Sequence, residues 1–155
     1  MVTDHLAEPW ALRSALITVT ELERSFAFYR EIGPFEEIVR DDTVAVLGQP
    51  PRGSMFIILR QVQSRHAVRH GQDSLGVRSL TFNVKAIGEL DRIESLLREH
   101  GAFTRRWTMA DGAAELMTGR DPDNLPLAFG SYDESRLVGT EYYGAVAGFV
   151  HSLDV

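Results

Sequence analysis

Two stretches of this chain repeat one another, and that repeat limits the fold more than any other feature. Arg13-Ser14-Ala15-Leu16-Ile17-Thr18-Val19 is matched by Arg78-Ser79-Leu80-Thr81-Phe82-Asn83-Val84. A helical pattern follows each copy. Leu22, Phe26 and Tyr29 recur at i, i+4 and i+7 after the first, and Leu90, Ile93 and Leu97 at i, i+3 and i+7 after the second. The helices end alike, Arg30-Glu31-Ile32-Gly33-Pro34-Phe35 against Arg98-Glu99-His100-Gly101-Ala102-Phe103. Two strands and two helix ends in one register are an internal duplication, which has to be recognised before any fold is assigned.

Each copy reads as a strand running into an amphipathic helix. In Ser14–Val19 the β-favouring residues alternate, so Ala15, Ile17 and Val19 share the face toward the helix. Ser14, Leu16 and Thr18 share the other, as do Ser79, Thr81 and Asn83 in the second copy. Thr20 is the expected N-cap, with Glu21 and Glu23 in the first turn, and Gly33-Pro34 closes the helix.

Three further β-type runs complete each copy. In the first they are Phe35–Arg40, Thr43–Leu47 after an Asp41-Asp42 turn, and the hydrophobic Ser54–Val62, expected to be buried on both faces. In the second they are Phe103–Thr108, Ala113–Thr118 and Leu125–Phe129. The class is therefore α+β: two tandem βαβββ modules, about 13–62 and 78–131, joined by a polar linker at 63–77 and forming one domain over 1–131. Residues 132–155 form an extension, expected to be helical from the spacing of Tyr142, Val146, Phe149 and Val150.

At 155 residues and 44% hydrophobic the chain can bury a core, and its net charge of −6 argues against nucleic acid. With no cysteine, disulfides and thiolate chemistry are excluded. No apolar run approaches a membrane span, and Met1–Trp10 lacks the pattern of a secretory signal, so a soluble cytoplasmic protein is expected.

The Val19–Tyr29 run and the Arg120-Asp121-Pro122-Asp123 turn resemble the vicinal oxygen chelate superfamily of glyoxalase I, bleomycin-resistance proteins and extradiol dioxygenases. The resemblance covers Arg13 to Ser131. It implies two modules whose curved sheets enclose a cup for a small organic ligand, and often a homodimer. Asn124 replaces the usual Gly after D-P-D, a mild departure because Asn tolerates the left-handed conformation. The metal-ligand positions depart further. Ser14 and Ser79 stand where the family's histidines would, Ala128 where its Glu would, and Met55–Leu59 holds no acid. No metal or other cofactor is expected, because a divalent ion needs imidazole or carboxylate donors.

With that architecture the cup is lined by Ser14, Leu16, Thr18, Ile58, Arg60, Ser79, Thr81, Asn83, Trp107 and Ala128. The serines either hydrogen-bond a ligand or fill space. Glu115 is the candidate catalytic residue and a further candidate for the lining: if it faces the cup it orients a cationic ligand or acts as a general base, and if it does not it is an ordinary solvated acid. Arg60, Arg105 and Arg106 hold an anionic group or face solvent, and Trp107 walls the cup or packs in the core. His66 and His70 read as a solvated loop beside Arg65 and Arg69. The function implied is metal-independent binding of a small molecule, of drug-binding or resistance type. The alternatives are a metal-independent isomerase, cyclase or lyase and, less favoured, a metal-dependent lyase or dioxygenase.

Overall fold

A computed structural model describes residues 14–49, 55–63, 77, 79–85, 87–109, 112–133 and 135–136. The first module is β1 (Ser14–Val19), α1 (Leu22–Ile32), β2 (Glu36–Arg40), β3 (Val44–Gly48) and β4 (Phe56–Gln61). The second is β5 (Leu80–Asn83), α2 (Ile87–Glu99), β6 (Phe103–Met109), β7 (Ala114–Arg120) and β8 (Pro126–Tyr132). The duplication is exact in topology. One sheet has the order β1-β4-β3-β2 and the other β5-β8-β7-β6, and in each the first strand lies parallel to the last. The helical spacing of Tyr142, Val146, Phe149 and Val150 in the extension falls outside the described residues.

Alternation decides which strand face is buried. Ile17 and Val19 lie in the core while Ser14, Leu16 and Thr18 are exposed. The expectation that β4 is buried on both faces is corrected. Ile57 and Leu59 are buried, but Phe56 and Ile58 are only half-buried and Arg60 is exposed. The cause is that α1 packs on one face of β3 and β4 and leaves the other uncovered.

The helix sides of both sheets meet in one hydrophobic core. Tyr29, Leu47, Ile57 and Leu59 of the first module and Leu90, Leu97, Met117 and Leu127 of the second belong to it. Aromatic rings carry it across the boundary: Phe35 meets Phe82 edge-on at 6.1 Å, and Phe82 stacks on Phe129 at 5.5 Å. Arg92 of α2 donates to the main-chain oxygens of Glu31 and Ile32 at 2.9 and 3.0 Å. A cation thereby sits on carbonyls that the end of α1 leaves unpaired, where the helix dipole favours it.

A polar interlock completes the junction. Asp121 Oδ1 accepts the N–H groups of Asp123 and Leu125, which shapes the β7–β8 turn, and Asp121 Oδ2 accepts the Tyr29 hydroxyl at 2.9 Å. Asn124 takes the left-handed conformation there, with φ 74°. Asp123 in turn accepts from Thr20 N–H at 2.9 Å, from the Thr20 hydroxyl at 2.5 Å and from Arg24 at 3.2 Å. This explains why Thr20 is not the N-cap. Its hydroxyl is engaged by the other module, Glu21 occupies the cap position, and the Leu22 N–H donates to Gln61 Oε1 instead.

Candidate functional site

The strand faces turned away from the helices remain for function, and register shows what each presents. On the first sheet Ser14 lies beside Phe56, Leu16 beside Ile58, and Thr18 beside Arg60. Across β4, Ile58 neighbours Val46, and Arg60 neighbours Val44. A bulge between Glu37 and Val39 brings one more side chain onto this face, because Ile38 lies over Gly48 where a Cβ would collide with it. The result is an open apolar surface with polar ends. Leu16 is 60% exposed, Ile38 55% and Val39 58%. Isolated exposed leucines are ordinary, but a contiguous apolar patch marks a surface that meets something.

The second outer face is built differently. Thr81 lies beside Ala128 and Asn83 beside Gly130, and β7 places Thr118 and Leu116 opposite the same two residues. Ser79, just before β5, is half-buried, while Thr81 and Asn83 are exposed. The small residues on β8 make a depression that aromatic side chains occupy. A Cβ on Gly130 would lie 2.5 Å from the Tyr132 hydroxyl, so the phenol ring covers that position. Trp107 and Tyr132 pack on Leu116 and Ala128, both fully buried, and the Arg105 guanidinium lies 5.3 Å from the Trp107 ring. Trp107 is thus a wall of this face.

The candidates therefore divide cleanly. Ser14, Leu16, Thr18, Ile58 and Arg60 gather on the first outer face. Thr81, Asn83, Trp107 and Ala128 gather on the second, Ala128 beneath the aromatic rings. Glu115 is not among them. It lies on the helix side, where Arg106 binds it through Nε at 2.7 Å, and Arg106 also reaches Asp91 at 2.6 Å and Glu94 at 2.9 Å on α2. Glu115 neighbours Ser131 and Thr108 in the sheet, and that register turns it from the cup face. Its carboxylate anchors a helix. Phe56, Val46, Ile38, Val39, Leu116 and Tyr132 share the two faces without having been singled out in the sequence. The alternation of Val44-Ala45-Val46 could have revealed Val46, whereas the bulge that adds Ile38 leaves no sequence signal.

The superfamily's divalent metal does not fit these residues. The donor positions hold two hydroxyls and a methyl, β4 presents Phe56, Ile58 and a guanidinium, and a fixed cation on the same face repels another. Among the described residues no three His, Asp or Glu side chains gather to hold an ion. His100 is at the junction, 2.7 Å from Glu31 and edge-on to Phe28. His66 and His70 lie outside the described residues. The groups that burial perturbs also lie at the junction. Burial first, then the adjacent Asp121 charge, raises the Tyr29 phenol well above its ordinary value, and burial likewise raises the Asp121 carboxyl.

No protein-family model matches the sequence, and no curated protein matches it. Solved structures do. A glyoxylase/bleomycin resistance protein/dioxygenase domain from Frankia sp. EAN1pec is 27% identical with a TM-score of 0.68, covering 80% of this chain and 98% of that one. Lactoylglutathione lyase from Agrobacterium tumefaciens is 17% identical with a TM-score of 0.59, covering 85% and 98%. The fosfomycin resistance protein FosX from Listeria monocytogenes is 14% identical with a TM-score of 0.62, covering 84% and 99%.

Proposed function

We propose that this chain, which has the vicinal oxygen chelate fold, binds a small organic molecule without a metal ion, as a protein of drug-binding or resistance type. The observation that carries the reading is the chemistry of the two outer faces: mainly apolar side chains and neutral hydroxyls and amides, with Arg60, Arg105 and, on the edge strand, Glu36 among the charges. Ligand pockets are composed in this way, a mainly apolar wall with a few polar groups to fix orientation. The neighbours of similar fold include a fosfomycin resistance protein and a lactoylglutathione lyase. A metal-free enzyme on this scaffold needs a base other than Glu115.

One chain supplies two open faces that look outward from a shared core, and each is half a cup. A second copy of the chain, laying its second face over the first face of its partner, completes two equal cups. It also removes Leu16, Ile38 and Val39 from water, which favours association through the hydrophobic effect. Native mass spectrometry of protein taken freshly from cell extract tests all three parts together. The expected species is a dimer carrying an organic adduct and no transition metal. A stoichiometric metal ion, matched by a gain in melting temperature with Zn, Ni, Fe or Mn, overturns the reading, since an ion bound to the native state alone must stabilise it.

The position of Ser14 gives a sharper check. Its side chain is exposed, so Ser14→Phe has room and is expected to change stability by no more than about 0.5 kcal/mol. The same substitution fills the cup and is expected to strip the co-purifying molecule. A Ser14→Phe protein that still carries that molecule excludes Ser14 from the site. Ser79→Phe, at a half-buried position, is expected to lose the molecule with a larger drop in melting temperature.

A further inference from the structure

The duplication allows the two outer faces to be compared position by position, because both modules keep the same register. Leu16 and Ile58 of the first face correspond to Thr81 and Ala128 of the second, and Thr18 and Arg60 correspond to Asn83 and Gly130. Where one module carries a guanidinium, its twin carries no side chain. The fold therefore does not require a cation at that place.

Nor does Arg60 serve its own module. Among the described residues its guanidinium makes no hydrogen bond and no ion pair. Asp41, in the turn before its strand neighbour Val44, is held by the N–H groups of Thr43 and Val44 at 2.7 and 2.8 Å. Glu36, the acid on the same face, neighbours Gly48, four residues along β3 from Val44, so their rows lie about 13 Å apart. The other arginines of the outer faces are engaged. Arg105 lies against Trp107, and Arg120, on the Leu116 and Thr118 side of β7, donates to the Asn124 carbonyl at 3.3 Å.

The balance of charge points the same way. The chain holds 22 acidic residues against 16 lysines and arginines. Yet the described strand residues of the outer faces include Arg60, Arg105 and Arg120 against the single acid Glu36. An acidic protein thus turns cations toward its ligand surfaces, a field that draws anions to them.

We infer that the ligand of the first outer face is a small organic acid, its carboxylate on the Arg60 fork and its apolar body along Leu16, Ile58 and Val46. This rests on the cup reading proposed above and names the class of molecule the cup takes. Register sets Thr18 directly beside Arg60, where its hydroxyl can share the head group, and sets Ile58 next on the same side of β4. Arg60 is exposed because the half-cup is open. A guanidinium fork offers a carboxylate two parallel hydrogen bonds, and closure by a second copy strengthens them by excluding water. Arg60 is thus the residue that selects an acid over its amide or amine.

Octanoate is a suitable probe, with octanamide and octylamine as the neutral and cationic forms of the same body. Titration into the full-length ¹⁵N-labelled protein, followed by amide NMR shifts, locates each response. Octanoate is expected to move the amides of Thr18, Val46 and Arg60, and to bind at least about tenfold more tightly than octanamide, with octylamine weaker still. Arg60→Gln is expected to remove that preference while octanamide binds as before. Arg60→Glu is expected to reverse it in favour of octylamine. Equal affinities for acid and amide at these positions, or a preference for the acid that persists in folded Arg60→Gln, overturn the inference and leave the cup standing. Shifts away from the outer faces with all three probes overturn the cup reading, and this inference with it.

Discussion

Tyr29→Ala is expected to lower stability by about 3–5 kcal/mol, the range for deleting a large buried aromatic side chain. Tyr29 is fully buried where α1 meets both sheets, so its loss opens a cavity that neighbouring residues can fill only in part. For a chain of this length the melting temperature then falls by roughly 6–20 °C. Tyr29→Phe isolates the hydroxyl. It keeps the ring and removes the bond to Asp121, for an expected loss of about 1–2 kcal/mol. The pH dependence carries a sign. Burial raises the Asp121 carboxyl in the folded state, so the native protein holds that proton more tightly than the unfolded chain does. The contribution of this group to stability is therefore highest at low pH and declines as pH rises through its folded pKa. Removing the phenol donor takes away a bond that favours the ionised form, so the gap between wild type and Tyr29→Phe widens from pH 4 toward neutrality. Thermal melts across that range check it, and a constant gap would place the Asp121–Tyr29 bond outside the linkage.

Arg106→Met is expected to cost about 1–3 kcal/mol near neutral pH, and the reason is what the substitution leaves behind. Asp91, Glu94 and Glu115 converge on one guanidinium whose side chain is 19% exposed. Met fills much of the same volume but leaves three carboxylates facing one another. Hydrogen bonds from Arg106 and then Arg98 hold the Glu94 carboxyl below its ordinary value. A depressed carboxyl contributes stability above its unfolded pKa, and that contribution is lost as pH falls through the folded one. The deficit of the variant should thus be largest near neutrality and shrink below about pH 4, where protonation also relieves the repulsion. Urea titrations at pH 7 and pH 4 measure the two limits. If the deficit grew on acidification, the cluster would not be holding α2 by charge.

What the sequence displayed and what it hid follow from the range of each interaction. The duplication, the side of β1 that faces the helix and the left-handed turn at Asn124 are local patterns, and each was legible. The N-cap was not, because Thr20 answers to Asp123, a partner 103 residues away. The side on which Glu115 lies depends on the register of β7 against β6 and β8, and the bulge between Phe103 and Arg105 shifts that register without a mark in the sequence. Tyr132 escaped notice because β8 runs to Tyr132, three residues past the expected Phe129.

The interlock of Thr20 and Arg24 with Asp123 has a consequence in time. Their partner is made 103 and 99 residues later. At translation rates of roughly 5–20 residues per second, the first module, finished by about residue 62, waits on the order of 3–12 s for the turn that completes it. Throughout that interval the face of α1 destined for the second module is bare, and the half-built core is a surface for whatever is nearby. The nascent chain is thus most vulnerable to aggregation while it is already partly structured, and slowing synthesis after residue 62 lengthens the hazard instead of relieving it.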